Sequence, residues 1–114
     1  MSIYKQRDIV LITFPFSDLT GQKVRPVIIL SNSTYNQQSQ DILVCGITAN
    51  LKVTPFSIIV DITDVEHPGT LKNKSKIRVD TIASLEQSLV IKKIARLNTS
   101  IFKQIVEMIN NLIK

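Results

Sequence analysis

The feature that most constrains the fold is the short apolar run at residues 27–30, Val27-Ile28-Ile29-Leu30, entered through Arg25-Pro26 and closed by the polar cluster of residues 31–35. A wholly apolar, β-branched-rich run of this length predicts a central strand covered on both faces. Proline favours an extended conformation in the residue before it, so Arg25 is held at the mouth of that strand. A guanidinium positioned there suits a phosphate.

The neighbouring segments extend this into a β-rich chain. Residues 8–14 read as a first strand, and residues 14–23 break it with Pro15, Asp18 and Gly21. That connection is either a binding lid or a plain hairpin loop. The second strand spans residues 25–31, the polar segment 32–40 follows, and a third strand covers residues 42–48. If the second and third strands pair antiparallel in the simplest register, Ser31 meets Ile42 and Arg25 meets Thr48, unless a helical turn in residues 32–40 shifts the pairing. A guanidinium and a hydroxyl then come within reach of one ligand.

Residues 56–62 alternate as a half-buried strand with Phe56, Ile58, Val60 and Ile62 inward, and residues 64–69 form a turn. Residues 76–82 alternate again, placing Lys76, Arg78 and Asp80 on one face and Ile77, Val79 and Thr81 on the other. The polar face is either an exposed ion-paired surface or part of a site. Residues 88–97 read as one more strand. Asn98, Thr99 and Ser100 are capping residues, and Phe102, Ile105, Val106, Ile109, Leu112 and Ile113 follow at helical spacing, which predicts a terminal helix packed on the sheet.

Composition narrows the class. The 114 residues suit one domain, residues 1–114, with 44% hydrophobic and 20% charged residues. No apolar run nears the roughly 18 residues of a membrane span, and the start of the chain lacks the apolar core of a secretory signal. A cytoplasmic protein is expected. The net charge is +5 and the pI about 9.6, with lysines and arginines concentrated in the last third, so that face is either an ordinary solvated surface or a match for a phosphate-bearing partner. Cys45, the one cysteine, lies in an apolar run and reads as a small buried hydrophobe. His67, the one histidine, sits in a Pro-Gly turn with no role assigned, and no Cys or His cluster offers zinc ligands. No metal or cofactor is expected.

Asp8-Ile9-Val10, Phe14-Pro15-Phe16, Asp18, Gly21, the run from Lys23 through Arg25-Pro26 to Asn32, and Ile47-Thr48-Ala49 together resemble the MazF/PemK (Kid) family of toxin endoribonucleases, over essentially the whole chain. The resemblance implies a mostly β fold with α (α+β): a small curved antiparallel β-barrel of SH3-like, PemK/CcdB type with a C-terminal helix. It implies a toxin of a type II toxin–antitoxin system that dimerises, cuts single-stranded RNA without metal and leaves a 2′,3′-cyclic phosphate, so inhibiting translation and growth. It also implies a cognate antitoxin whose C-terminal segment blocks the RNA groove, with DNA met only through that antitoxin and no membrane involved.

Carried over residue by residue, Arg25 matches the family's Arg-Pro arginine, Thr48 the threonine ending the third strand, and Arg78 and Asp80 the Arg-x-Asp pair of the Kid branch; these are the catalytic candidates. Phe16, Ser17, Asp18 and Thr20 of the first loop are expected at the RNA, with Lys23, Lys76 and Ser84. Phe14 and Phe16 are either core-edge packing or a base-stacking pair. Two departures are visible: residues 18–24 lack the histidine that some Kid-like members carry, and residues 84–87 depart from the family's Arg-Thr-Ile-Asp pattern. Metal-free cleavage needs a base for the 2′-hydroxyl and cations for the transition state. Arg25 suits the latter, Asp80 the former if the site is partly dry, Thr48 a hydrogen-bond donor, and Arg78 either a second phosphate clamp or the partner of Asp80. Readings from other classes are a CcdB-like toxin that binds gyrase without enzymatic activity, and a plain RNA-binding module.

Overall fold

The computed structural model describes residues 3–14, 23–66 and 73–114, Phe14 by its backbone alone. Its elements are β1 (Asp8–Phe14), β2 (Lys23–Ile29), α1 (Ser33–Gln38), β3 (Asp41–Thr48), β4 (Ser57–Val60), a 3-10 turn at Ile62–Asp64, β5 (Val65–Glu66), β6 (Ser75–Glu86), a second 3-10 turn at Gln87–Leu89, β7 (Val90–Leu97) and α2 (Thr99–Ile113). The strands form one antiparallel seven-stranded sheet in the order β4-β6-β3-β2-β1-β7-β5, curled into a half-barrel. The fold is mostly β with some α, as expected.

β2 is central and covered on both faces. Ile28 points into a core with Ile9, Cys45, Ile77, Leu97 and, from α2, Phe102 and Ile105. Its neighbours Val27 and Ile29 point the other way, into a second core with Val10, Ile12, Ile42, Val44 and Leu85. Successive strand residues face opposite sides, so an unbroken apolar run is what two-sided burial demands. Burial pushes the Cys45 thiol up to about 12, because a thiolate there would lose its hydration, and the group stays a neutral apolar filler.

β2 pairs with β3 through Val27↔Gly46, Ile28↔Cys45 and Ile29↔Val44, the register expected from the strand ends. The polar segment between them does form a helix, α1, capped by Asn32, whose side chain accepts the Tyr35 N–H. The register survives because buried Asn36 anchors that helix, donating to the carbonyls of Tyr4 and Ser31.

The curl comes from irregular pairing. Against β6, Cys45 pairs with Ile82, yet the next residue, Gly46, pairs with Arg78. Residues 79–81 are therefore surplus to the ladder, and such a bulge bends the strand and re-aims its side chains. Ile77 and Val79 lie in the first core while Leu85, at the same parity, lies in the second. Strict alternation fails here: Thr81, expected inward with Ile77 and Val79, is exposed.

Three further expectations are corrected. β4 is shorter than the strand expected at residues 56–62; Ile58 and Val60 are buried, but Phe56 and Ile62 are exposed. Phe56 has φ of 56°, which breaks the strand, and Ile62 starts a 3-10 turn capped by Asp61. The strand expected at residues 88–97 begins only at Val90. On α2, Phe102 and Ile105 are buried and Ile109 partly so, whereas Val106, Leu112 and Ile113 face solvent. Val106 is roughly 100° round the helix from Ile105, beyond the stripe the sheet covers.

The open edge of the sheet is tied by charge. Asp8, 1% exposed, sets Oδ1 3.1 Å from Lys93 Nζ and 3.7 Å from Arg96 Nη1, and accepts the Lys5 N–H on Oδ2. Arg7 takes φ of 79°, held there as Nη1 donates to Glu66 Oε1 and the Leu97 carbonyl. Part of the C-terminal basic excess is thus structural: Lys93 and Arg96 face Asp8 in place of a partner.

Candidate functional site

The ladder between β2 and β3 stops at Val27↔Gly46, next to Pro26, which has no N–H to give. Past that point β3 stays paired with β6 as far as Thr48↔Lys76, while β2 follows β1, with Arg25 opposite Ile12. A cavity of about 670 Å³ opens between them. It is lined by Lys23, Arg25, Pro26 and Val27 of β2, by Gly46, Ile47 and Thr48 of β3, by Asn50, Lys52 and Thr54 of the following segment, and by Lys76, Arg78 and Thr81 of β6.

Arg25 and Thr48, expected opposite each other, are not paired by the ladder, but both line this one cavity. Arg25 is exposed and has no ion-pair partner among the described residues, so its donors are free for a ligand. The Thr48 hydroxyl oxygen accepts the Asn50 N–H at 3.2 Å. A hydroxyl has one proton and two lone pairs, so that bond leaves its O–H available to donate.

Arg78 also lines the cavity, with its Nε 3.9 Å from Asp80 Oδ1, both side chains about half exposed. Such a pair is worth little as a stabilising contact, and it leaves the outer guanidinium nitrogens unengaged. Asp80 is not a lining residue; it stands on the bulge behind Arg78 and in contact with water. The described lining residues include five cations, Lys23, Arg25, Lys52, Lys76 and Arg78, and no carboxylate. The field inside is strongly positive.

Of the expected contact residues, Lys23 lines the cavity. Lys76 does too, but it is only 4% exposed, with Nζ donating to the Lys52 carbonyl at 2.8 Å and to Thr54 Oγ1 at 3.4 Å. Ser84 lies beyond the bulge, off the cavity, and donates to Asp41 Oδ2. Phe16, Ser17, Asp18 and Thr20 lie outside the described residues.

Four polar lining residues, Asn50, Lys52, Thr54 and Thr81, were not anticipated. Asn50, Lys52 and Thr54 line the cavity while Leu51 and Val53 between them do not, so this connection keeps the two-residue alternation of a strand. That alternation is the signal that marks them. Thr81 is carried in by the bulge, packing over Gly46, where an added Cβ would sit 3.6 Å from its Cγ2. No period in the sequence announces it.

The sequence matches, over residues 5–113, the profile of the PemK-like, MazF-like toxins of type II toxin–antitoxin systems. The chain belongs to that family. Among solved structures, the MazE–MazF complex of Deinococcus radiodurans superposes with a TM-score of 0.80 at 18% identity, covering 97% of this chain and 96% of the MazF chain. The Mycobacterium tuberculosis toxin MazF-mt6 gives 0.74 at 21% identity, covering 92% and 94%. An endoribonuclease in complex with its cognate antitoxin, from a mycobacterial species, gives 0.72 at 14% identity, covering 95% and 92%. At these identities the likeness is one of fold. No curated protein sequence matches the chain. Among the described residues of this toxin no helix is long and apolar enough to cross a membrane.

Proposed function

We propose that this toxin is an endoribonuclease that cuts single-stranded RNA in the cavity between β2, β3 and β6, without a metal ion, in the cytoplasm. The observation that carries the reading is the convergence of Arg25, Thr48 and Arg78 on one cavity whose described lining holds five cations and no acid. A polyanion is the ligand such a field selects. Arg25 and Arg78 are placed to bracket the phosphate, where preorganised charge stabilises the crowded phosphorane-like transition state. Thr48 donates to a phosphoryl oxygen.

The reaction is attack of the ribose 2′-oxygen on phosphorus, with loss of its proton and departure of the 5′-oxygen, which takes up a proton and leaves a 2′,3′-cyclic phosphate. Asp80, 3.9 Å from the Nε of the lining residue Arg78, is the base in this reading. Its exposure departs from the partly dry site assumed from sequence, so the base works here with water access.

Purified toxin incubated with a long mixed RNA in EDTA should therefore cleave it, and sequencing the 5′ ends would give the recognition motif. Loss of cleavage on chelation, restored by magnesium, would overturn the mechanism; inhibition of gyrase with no RNA cut would assign the CcdB-like reading instead.

A homodimer whose RNA groove crosses the interface belongs to the same proposal, as does a cognate antitoxin that blocks the groove with its C-terminal segment. Light scattering at micromolar concentration should give twice the 12.8 kDa chain mass. A monomer there would remove the dimer.

A further inference from the structure

Lys76 is a buried cation that the reaction above does not use. It lies in the middle of three paired strands, opposite Thr48 of β3 on one side and Ile59 of β4 on the other, and is 4% exposed. Among the described residues no carboxylate pairs with it; its two hydrogen-bond acceptors are neutral oxygens. Burying an ammonium on such terms is costly, and an apolar side chain of similar volume would fill the same space.

What the lysine does is visible in the bonds it completes. The Asn50 N–H donates to Thr48 Oγ1, and the Lys52 N–H donates to Asn50 Oδ1. The Lys52 carbonyl then accepts from Lys76 Nζ, which also donates to Thr54 Oγ1. The Thr54 hydroxyl donates a hydrogen bond to Ser57 Oγ, and the Ser57 hydroxyl donates to the Thr54 carbonyl. Within the segment the ammonium thus holds two acceptors, the Lys52 carbonyl and Thr54 Oγ1, between the local bonds of Asn50 with Thr48 and of Thr54 with Ser57. Beyond these bonds the segment is tied to β6 by the Val79 N–H, which donates to the Phe56 carbonyl at 3.0 Å, while Asn50, Leu51, Lys52 and Val53 are all exposed.

Resting on the reading of the cavity as an RNA site, we infer that Lys76 is a positioning residue that clamps the segment of residues 49–56 as one wall of the cavity, acting on the substrate through Thr48 and Lys52 and touching no phosphate itself. The clamp sets which lone pair of Thr48 is occupied, and so where its remaining proton points.

Lys76→Met keeps the bulk and removes the ammonium. In RNA-free protein, amide exchange at Asn50 and Lys52 should quicken at least about fivefold while the exchange of the core strands is unchanged. The single-turnover cleavage rate should fall roughly 10- to 100-fold, as small misplacements of reacting groups do. The salt dependence of binding to a non-cleavable RNA should keep its slope, because no phosphate contact is lost. On a Thr48→Val background the same substitution should cost less than about twofold, since two residues acting as one unit do not add.

Unchanged exchange at Asn50 and Lys52 overturns the clamp. A salt slope shallower by about 0.7 makes Lys76 a direct phosphate ligand and overturns the inference too. So does a full loss on the Thr48→Val background. Should Lys76→Met fail to fold, Thr54→Val removes one acceptor of the ammonium without touching β6, and the same exchange readings decide. A parent protein that cuts no RNA would sink the ribonuclease reading alone, because the exchange measurement stands without substrate.

Discussion

Replacing Arg25 with alanine is expected to lower the single-turnover rate of RNA cleavage by roughly 10² to 10³, the usual loss for one preorganised electrostatic donor. Arg25 is exposed at the cavity and unpaired among the described residues, so the substitution removes charge from the site and nothing from either core. The fold should be kept, as circular dichroism and thermal melting would show. Arg25→Lys should recover only part of the rate, since a point charge cannot reproduce a planar two-donor fork. Affinity for a non-cleavable RNA should fall far less than the rate, because Lys23, Lys52 and Arg78 remain in the lining to hold the ground state. A folded Arg25→Ala protein that cuts at near the parent rate would make Arg25 structural and leave Arg78 and Asp80 to explain the activity.

The β2–β3 register was legible because polarity changes at Ser31 and at Asp41, close to the facing strand ends, and because Ile28 in one core with Val27 and Ile29 in the other tolerates no slip. α2 was legible from Asn98, whose side chain accepts the Ile101 N–H as a cap should. The bulge at residues 79–81 was not. Alternation carries no mark for residues that leave the ladder, so Thr81 was placed on the inner face and the cavity lost one of its walls on paper.

Lys76 is the more instructive case. Two-residue spacing correctly sets it on the face of Arg78, which made it look like another exposed cation. Exposure is decided by the flanking strands, however, and β6 has β3 on one side and β4 on the other at this point. Local pattern cannot see that cover. The same blindness applies to Asp8, where a charged lead-in to a strand turns out to be a buried anchor for Lys93 and Arg96.

The strand that carries Lys76 and Arg78 also carries Ile77, fully buried between them and packed in the first core. Ile77→Ala should cost roughly 2–5 kcal/mol, the transfer energy of the lost methyl groups plus the cavity left behind. In a domain whose stability is about 5–15 kcal/mol, that moves the urea midpoint sharply, with the slope unchanged if the unfolded state is unaffected. Ile105→Ala, equally buried but on α2, should cost a similar amount. The two should part in activity. Per folded molecule, Ile105→Ala should cleave like the parent, whereas Ile77→Ala should lose roughly tenfold, because relaxation around its cavity shifts the two cations on either side of it. Equal activity in both variants, measured well below their melting temperatures, would mean that β6 holds Arg78 in place by its backbone ladder to Gly46 and Ser57 and needs no help from the core beneath.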